Sequence, residues 1–157
     1  MLFRSHRLIA QLRPLALDRF GLRDALQDLL DDRRVHHPDV ALQLTLNGQL
    51  DGLNDDLSTT VYRLVQEAVN NALRHARASR IDVQLDASAH GLLLQVADNG
   101  TGQVAQFHAP GHYGVLGMQE RAQALGGSFE LDQIEPAGVR VRVSLPIKPI
   151  TSGSEAL

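Results

Sequence analysis

The sequence predicts an α+β protein built as a two-layer α/β sandwich, with one mixed, mostly antiparallel sheet covered on one face by helices. Three observations predict it. Several short segments alternate apolar with polar residues, the period of half-buried strands. Longer segments between them repeat apolar residues at three- and four-residue steps, the period of amphipathic helices. The later strands fall into pairs joined by short glycine-containing connections, as antiparallel hairpins do.

Taken in order, residues 1–13 have the pattern of a helix tail, interrupted at Arg13-Pro14-Leu15-Ala16-Leu17 because proline disfavours helix at the residue before it. From Gly21 the pattern is helical again. Leu22, Leu26, Leu29 and Leu30 form its apolar stripe, and it fades at Arg33–His37 before Pro38. Val40–Leu46 alternates as a strand and closes at the Asn47-Gly48 turn signal. A polar loop leads to Asp56 and Ser58, candidate N-caps of the next helix. In that helix Val61, Leu64, Val65, Ala68, Ala72 and Leu73 make the apolar stripe. Ser79–Asp86 and Leu92–Ala97 are strands joined through Ser88-Ala89-His90-Gly91. Gln103–Tyr113 is polar and poorly patterned and is expected to be a mobile loop. Gly114–Leu125 is a helix stopped by Gly126-Gly127. Ser128–Ile134 and Val139–Leu145 form a last hairpin, and the tail 148–157 is expected to be disordered.

Composition narrows the function. With no cysteine among 157 residues, disulfides, thiolate metal sites and cysteine nucleophiles are excluded together. A net charge of -3 gives no electrostatic case for nucleic acid or an anionic membrane surface. No apolar run reaches the length of a membrane span, and the first residues lack a signal-peptide pattern. A soluble cytoplasmic domain is expected.

Three motifs carry chemistry. Glu67 and Asn71 sit four apart on the central helix, with Arg74 and His75 one turn on, so one helical side presents a carboxylate, a carboxamide and two cations. Asp98-Asn99-Gly100-Thr101-Gly102 ends an apolar strand. A carboxylate there accepts a hydrogen bond from an exocyclic amine such as adenine's, and Gly100 and Gly102 let backbone approach a flat ring. In Gly111-His112-Tyr113-Gly114-Val115-Leu116-Gly117-Met118, glycines recur every third residue into a helix start, where backbone N–H groups favour anions. Neither an Asp-Asn-Gly turn nor a glycine-started helix is specific alone. Their order is. The other histidines show no metal-ligand spacing, although His112 falls within the glycine-spaced segment.

In that order the motifs resemble the ATP-binding (Bergerat-type) fold shared by gyrase-type ATPases, Hsp90, MutL and histidine kinases. Within it the chain is most similar to the catalytic domain of two-component sensor histidine kinases of the nitrate-sensor and sugar-phosphate-sensor type. The residues that carry the resemblance are Leu12-Arg13-Pro14 with Leu17-Asp18 and Gly21-Leu22, Gln66-Glu67-Ala68-Val69-Asn70-Asn71-Ala72, Arg74-His75-Ala76, Asp98-Asn99-Gly100 with Gly102, Gly114 with Gly117-Met118 and Glu120-Arg121, Leu125-Gly126-Gly127, and Val143 with Leu145-Pro146. It runs from about Leu12 to Pro146.

The resemblance implies Mg²⁺-ATP as the ligand, with Asn71 on the Mg²⁺ and Glu67 preparing the attacking nucleophile. It implies Arg74 and His75 toward the phosphates, Asp98 on the adenine amine, and Gly100 and Gly102 giving the ring room. Gly114 and Gly117 would hinge the lid and present backbone N–H groups. It divides the chain into a remnant of the linker from an upstream dimerisation helix (1–20), the catalytic domain (21–147) and the tail. Partners would be a histidine-bearing dimerisation domain of the same kinase and, downstream, a response regulator. The domain would be a monomer in isolation and a dimer in a parent anchored to the inner membrane, without touching the membrane itself. Two departures stand out. No acceptor-histidine motif precedes Leu12, His6 lacking the acidic neighbour, so the domain alone is not expected to autophosphorylate. The last strand begins Gly138-Val139 where many relatives have Gly-Thr. An anti-sigma-factor-type serine kinase of the same fold and a non-catalytic ATP-sensing module are the alternatives.

Overall fold

The computed structural model describes residues 13–75, 77–102, 104 and 113–147. Residues 1–12, the tail 148–157 and most of the Gln103–Tyr113 loop lie outside them, as does His112. In chain order the elements are α1 (Leu15–His36), β1 (Ala41–Asn47), α2 (Asp55–His75), β2 (Arg80–Ala87), β3 (Gly91–Asp98), α3 (Tyr113–Ala124), β4 (Ser128–Gln133) and β5 (Val139–Pro146). The strands form one sheet in the order β1-β2-β3-β5-β4. Only β1 and β2 run parallel, and α2 is the crossover between them. The mixed, mostly antiparallel sheet expected from the pattern is therefore present.

Alternation decides which face is buried. Ile81, Val83 and Leu85 on β2, Leu92, Leu94 and Val96 on β3, and Val139, Val141, Val143 and Leu145 on β5 all point inward. The stripe of α2 covers them, with Val61, Leu64, Val65, Ala68 and Val69 buried, and α1 and α3 flank it. Each fully buried aliphatic side chain contributes about 1.5–3 kcal/mol relative to exposure. On the open face the β4–β5 register sets Glu130 opposite Arg142 and Asp132 opposite Arg140, with ion-pair distances of 3.6 and 3.5 Å. Exposed pairs of this kind add about 0–1 kcal/mol each, so they mark register more than they hold the fold.

The chain departs from the sequence expectation at two helix starts. Helix resumes at Leu15, directly after Pro14, rather than at Gly21, because a proline at a helix start gives up no hydrogen bond. Gly21 is instead a break inside α1, with φ 82° and ψ 175°, and Leu17 ahead of it is already buried in the core. Arg13 fastens this segment to the start of α2. It donates to Ser58 Oγ at 3.0 Å, Thr59 Oγ1 at 2.9 Å and the Asp55 carbonyl at 2.9 Å, and pairs with Asp18 at 2.6 Å. The cap of α2 is Asn54, not Asp56 or Ser58. Its Oδ1 accepts the Leu57 N–H at 2.7 Å, and its carbonyl takes the Ser58 N–H at 3.0 Å.

Candidate functional site

The sheet's inner face ends in a polar group. Along β3 every second residue is buried, and the last of the row is Asp98. Beside it, between α2, α3 and the ends of β3, β4 and β5, lies a narrow cleft. Ala68, Ala72, Val96, Val115, Met118, Leu131, Val139 and Val141 make apolar walls, and Asp98 and Asn71 are the polar groups in the lining. Apolar walls with two convergent polar groups suit a flat heterocycle carrying a hydrogen-bond donor.

Asp98 is buried, 9% exposed, and burial pushes its carboxyl above the usual carboxylate range. Two backbone donors work against that rise. Its Oδ1 accepts the Gly100 N–H at 2.9 Å and the Val139 N–H at 3.4 Å. No hydrogen bond among the described residues uses its second oxygen. Val139 thus reaches the carboxylate through its backbone, which the absence of a threonine hydroxyl leaves intact, while its side chain lines the cleft.

The loop after β3 is held from three sides. Asn99 Oδ1 accepts the N–H groups of Ser79 and Arg80 at 3.0 and 2.9 Å, tying the loop to the start of β2. Gly138, at φ 123°, lies so close that a Cβ on it would overlap the Asp98 carbonyl oxygen. From the end of β4, Gln133 donates to the Gly102 and Gly138 carbonyls at 3.2 and 2.9 Å and accepts the Val104 N–H at 3.1 Å. Gly100 and Gly102 are both buried.

At the mouth, Glu67 and Asn71 stand one turn apart on α2 and both face Gly114 in the first turn of α3. A Cβ on Gly114 would overlap Glu67 Oε1 and lie 3.4 Å from Asn71 Nδ2. Asn71 is buried and Glu67 half-buried, yet neither side chain has a hydrogen-bond partner among the described residues. Both polar ends are therefore open to a ligand entering from the cleft mouth.

Of the expected site residues, Asn71 and Asp98 line the cleft, and Glu67 and Gly114 meet beside Asn71. Arg74 is exposed and His75 half-buried at the end of α2, and neither is among the cleft's lining. Gly117 is on the second turn of α3, where the helix's own ladder uses its N–H. A Cβ there meets nothing within 4 Å, so Gly117 contributes room rather than the donor expected of it. Gln133, Asn99 and Gly138 were not singled out for the site by spacing, because their partners lie across the sheet.

Residues 56–149 match the family model described as histidine kinase-, DNA gyrase B-, and HSP90-like ATPase. Similar proteins include the sensor histidine kinase LiaS of Bacillus subtilis, 35% identical over 147 residues, which are 93% of this chain and 40% of that one. The signal transduction histidine-protein kinase/phosphatase UhpB of Salmonella typhimurium is 34% identical over 140 residues, 89% of this chain and 27% of that one. The chain spans two fifths or less of the length of these two relatives. Among solved structures, the ATP binding domain of PrrB from Mycobacterium tuberculosis superposes with a TM-score of 0.62 at 22% identity, covering 80% of this chain and 93% of that one. The mycobacterial sensor histidine kinase MprB gives 0.61 at 19%, covering 82% and 96%. These structures share the fold, and the sequence relatives are sensor kinases. With a family match over more than half its length, the chain belongs to the histidine kinase-, DNA gyrase B- and HSP90-like ATPases.

Proposed function

We propose that the chain is the catalytic domain of a sensor histidine kinase, which binds Mg²⁺-ATP in this cleft. It passes the γ-phosphoryl group to a histidine on a separate dimerisation domain, for relay to a response regulator. The observation that carries this reading is the pair Asn71 and Glu67, which face Gly114 beside an apolar cleft whose polar lining is Asn71 and Asp98.

Each residue has a task the geometry allows. Asp98 accepts a hydrogen bond from the adenine amine, while Val96, Val139, Val141 and Met118 pack on the ring. Asn71 would hold Mg²⁺ through its amide oxygen, a hard donor, and the ion takes few protein ligands. The ion supplies charge neutralisation on the phosphates. As a P–N bond forms to one imidazole nitrogen, the P–O bond to the β-phosphate breaks and ADP leaves with its electron pair. Glu67 takes the proton from the other ring nitrogen. Arg74 and His75, one turn further along the same helix, would turn toward the phosphates. The domain works in the cytoplasm as part of a dimeric, membrane-anchored parent. In the chain itself no described helix is long and apolar enough to cross a membrane.

The deciding experiment mixes the protein with the histidine-bearing dimerisation domain of its parent and γ-labelled ATP. Label on histidine is the expected result. Label on a serine would assign an anti-sigma-type kinase, and label that stays on ATP despite calorimetric binding would assign an ATP-sensing module.

A further inference from the structure

Gln133 is used by nothing in the chemistry above, yet its amide joins three pieces of backbone around Asp98. Its Nε2 donates to the Gly102 carbonyl at 3.2 Å and to the Gly138 carbonyl at 2.9 Å, and its Oε1 accepts the Val104 N–H at 3.1 Å. Both amide hydrogens and one oxygen lone pair are thereby satisfied, which fixes the direction of the side chain. The segments it ties are those that supply the donors to Asp98. Gly100 precedes Gly102 in the loop after β3, and Gly138 precedes Val139, whose N–H reaches Asp98 Oδ1. As the last residue of β4, Gln133 sits opposite Val139 in the register.

We propose that Gln133 is a positioning residue of the nucleotide site, locking the β3–α3 loop to the β4–β5 hairpin so that Asp98 faces the base. This rests on the nucleotide reading of the cleft. Asp98 would do the reading, and Gln133 would hold its frame. Gln133 is exposed, so replacing it opens no cavity in the core.

The test is discrimination rather than affinity alone. Calorimetry would compare a non-hydrolysable ATP analogue with its purine riboside counterpart, which lacks the exocyclic amine, on the wild type, Gln133→Leu and Gln133→Glu. The wild type is expected to prefer the adenine form by about tenfold or more, the yield of one charged hydrogen bond. Gln133→Leu should narrow that preference to about threefold or less. Gln133→Glu keeps an acceptor for Val104 but loses both donors and should narrow it too. If both ligands weaken equally and the preference survives, Gln133 is a structural residue and the proposal falls. If the wild type itself binds neither ligand, or does not distinguish them, the reading of the cleft fails instead.

Discussion

Gly114 leaves the space that the Glu67 carboxylate fills: a Cβ on Gly114 would overlap Glu67 Oε1. The two come from different helices, and their contact sets where α3 crosses the mouth of the cleft. Gly114→Ala should therefore separate stability from function. Alanine favours helix over glycine by about 1 kcal/mol, and the atom it strikes is the end of a flexible side chain. The melting temperature should hold or rise, while phosphotransfer to the dimerisation domain falls by about tenfold or more as Glu67 is displaced. A variant as active as the wild type would mean that Glu67 needs no fixed position.

Asn71 gives the complementary case. Its side chain is buried at 9% exposure without a described hydrogen-bond partner, so the fold gains little from it. Asn71→Ala should change unfolding free energy by about 1 kcal/mol or less, since alanine also has the better helix propensity. Nucleotide titrations with and without Mg²⁺ should then coincide, whereas the wild type should bind more tightly with the ion. Retained Mg²⁺ dependence would move the metal to another residue.

These residues were legible in the sequence because helix periodicity and chemistry coincide on α2. Four-residue spacing puts Glu67 and Asn71 on one side whatever the helix packs against. Asp98 was legible because an alternating strand ended on it. Arg74 and His75 follow the same spacing, but whether the end of α2 reaches the cleft depends on how α3 crosses it, which no local pattern encodes. The cap of α2 was misplaced because Asn54, Asp56 and Ser58 all have capping side chains, and only the path of the loop selects Asn54. Gln133 and Asn99 stayed hidden for a different reason. Gln133 reaches the Gly102 carbonyl 31 residues back, and Asn99, though inside the Asp98-Asn99-Gly100 motif, takes backbone partners about 20 residues back, so no local spacing shows what either holds.

Gly138 tests how tightly the hairpin is pressed onto the loop. Its φ of 123° disfavours any side chain, and a Cβ would also meet the Asp98 carbonyl, a backbone atom that cannot swing aside. Gly126 is the control. It too has positive φ, at 77°, but a Cβ there meets only a Pro146 ring carbon at 3.8 Å. Strain of a left-handed residue costs about 1–3 kcal/mol. Gly126→Ala should show that cost in urea denaturation, and Gly138→Ala should exceed it and also weaken nucleotide binding. Equal losses would show that the loop yields freely around Asp98.

Asp98 should set stability and binding against each other. Burial raises its folded carboxyl above the unfolded value, and the N–H groups of Gly100 and Val139 offset only part of that rise. The folded state therefore holds the proton more strongly than the unfolded chain. Above the folded pKa the ionised group costs stability, and the cost disappears as pH falls through that value toward the unfolded one. Asp98→Asn keeps an oxygen for the two N–H groups and removes the buried charge. The variant should melt above the wild type at pH 7–8, and the difference should shrink as pH falls through the folded pKa and be gone well below about pH 4, where the wild-type carboxyl is protonated in both states. Its affinity for an ATP analogue should move the other way, by about tenfold or more, because the charged acceptor for the adenine amine is gone. Melting curves across pH beside one calorimetric titration check both signs. A variant less stable than the wild type at pH 8 would show that the two backbone hydrogen bonds outweigh the burial of the charge.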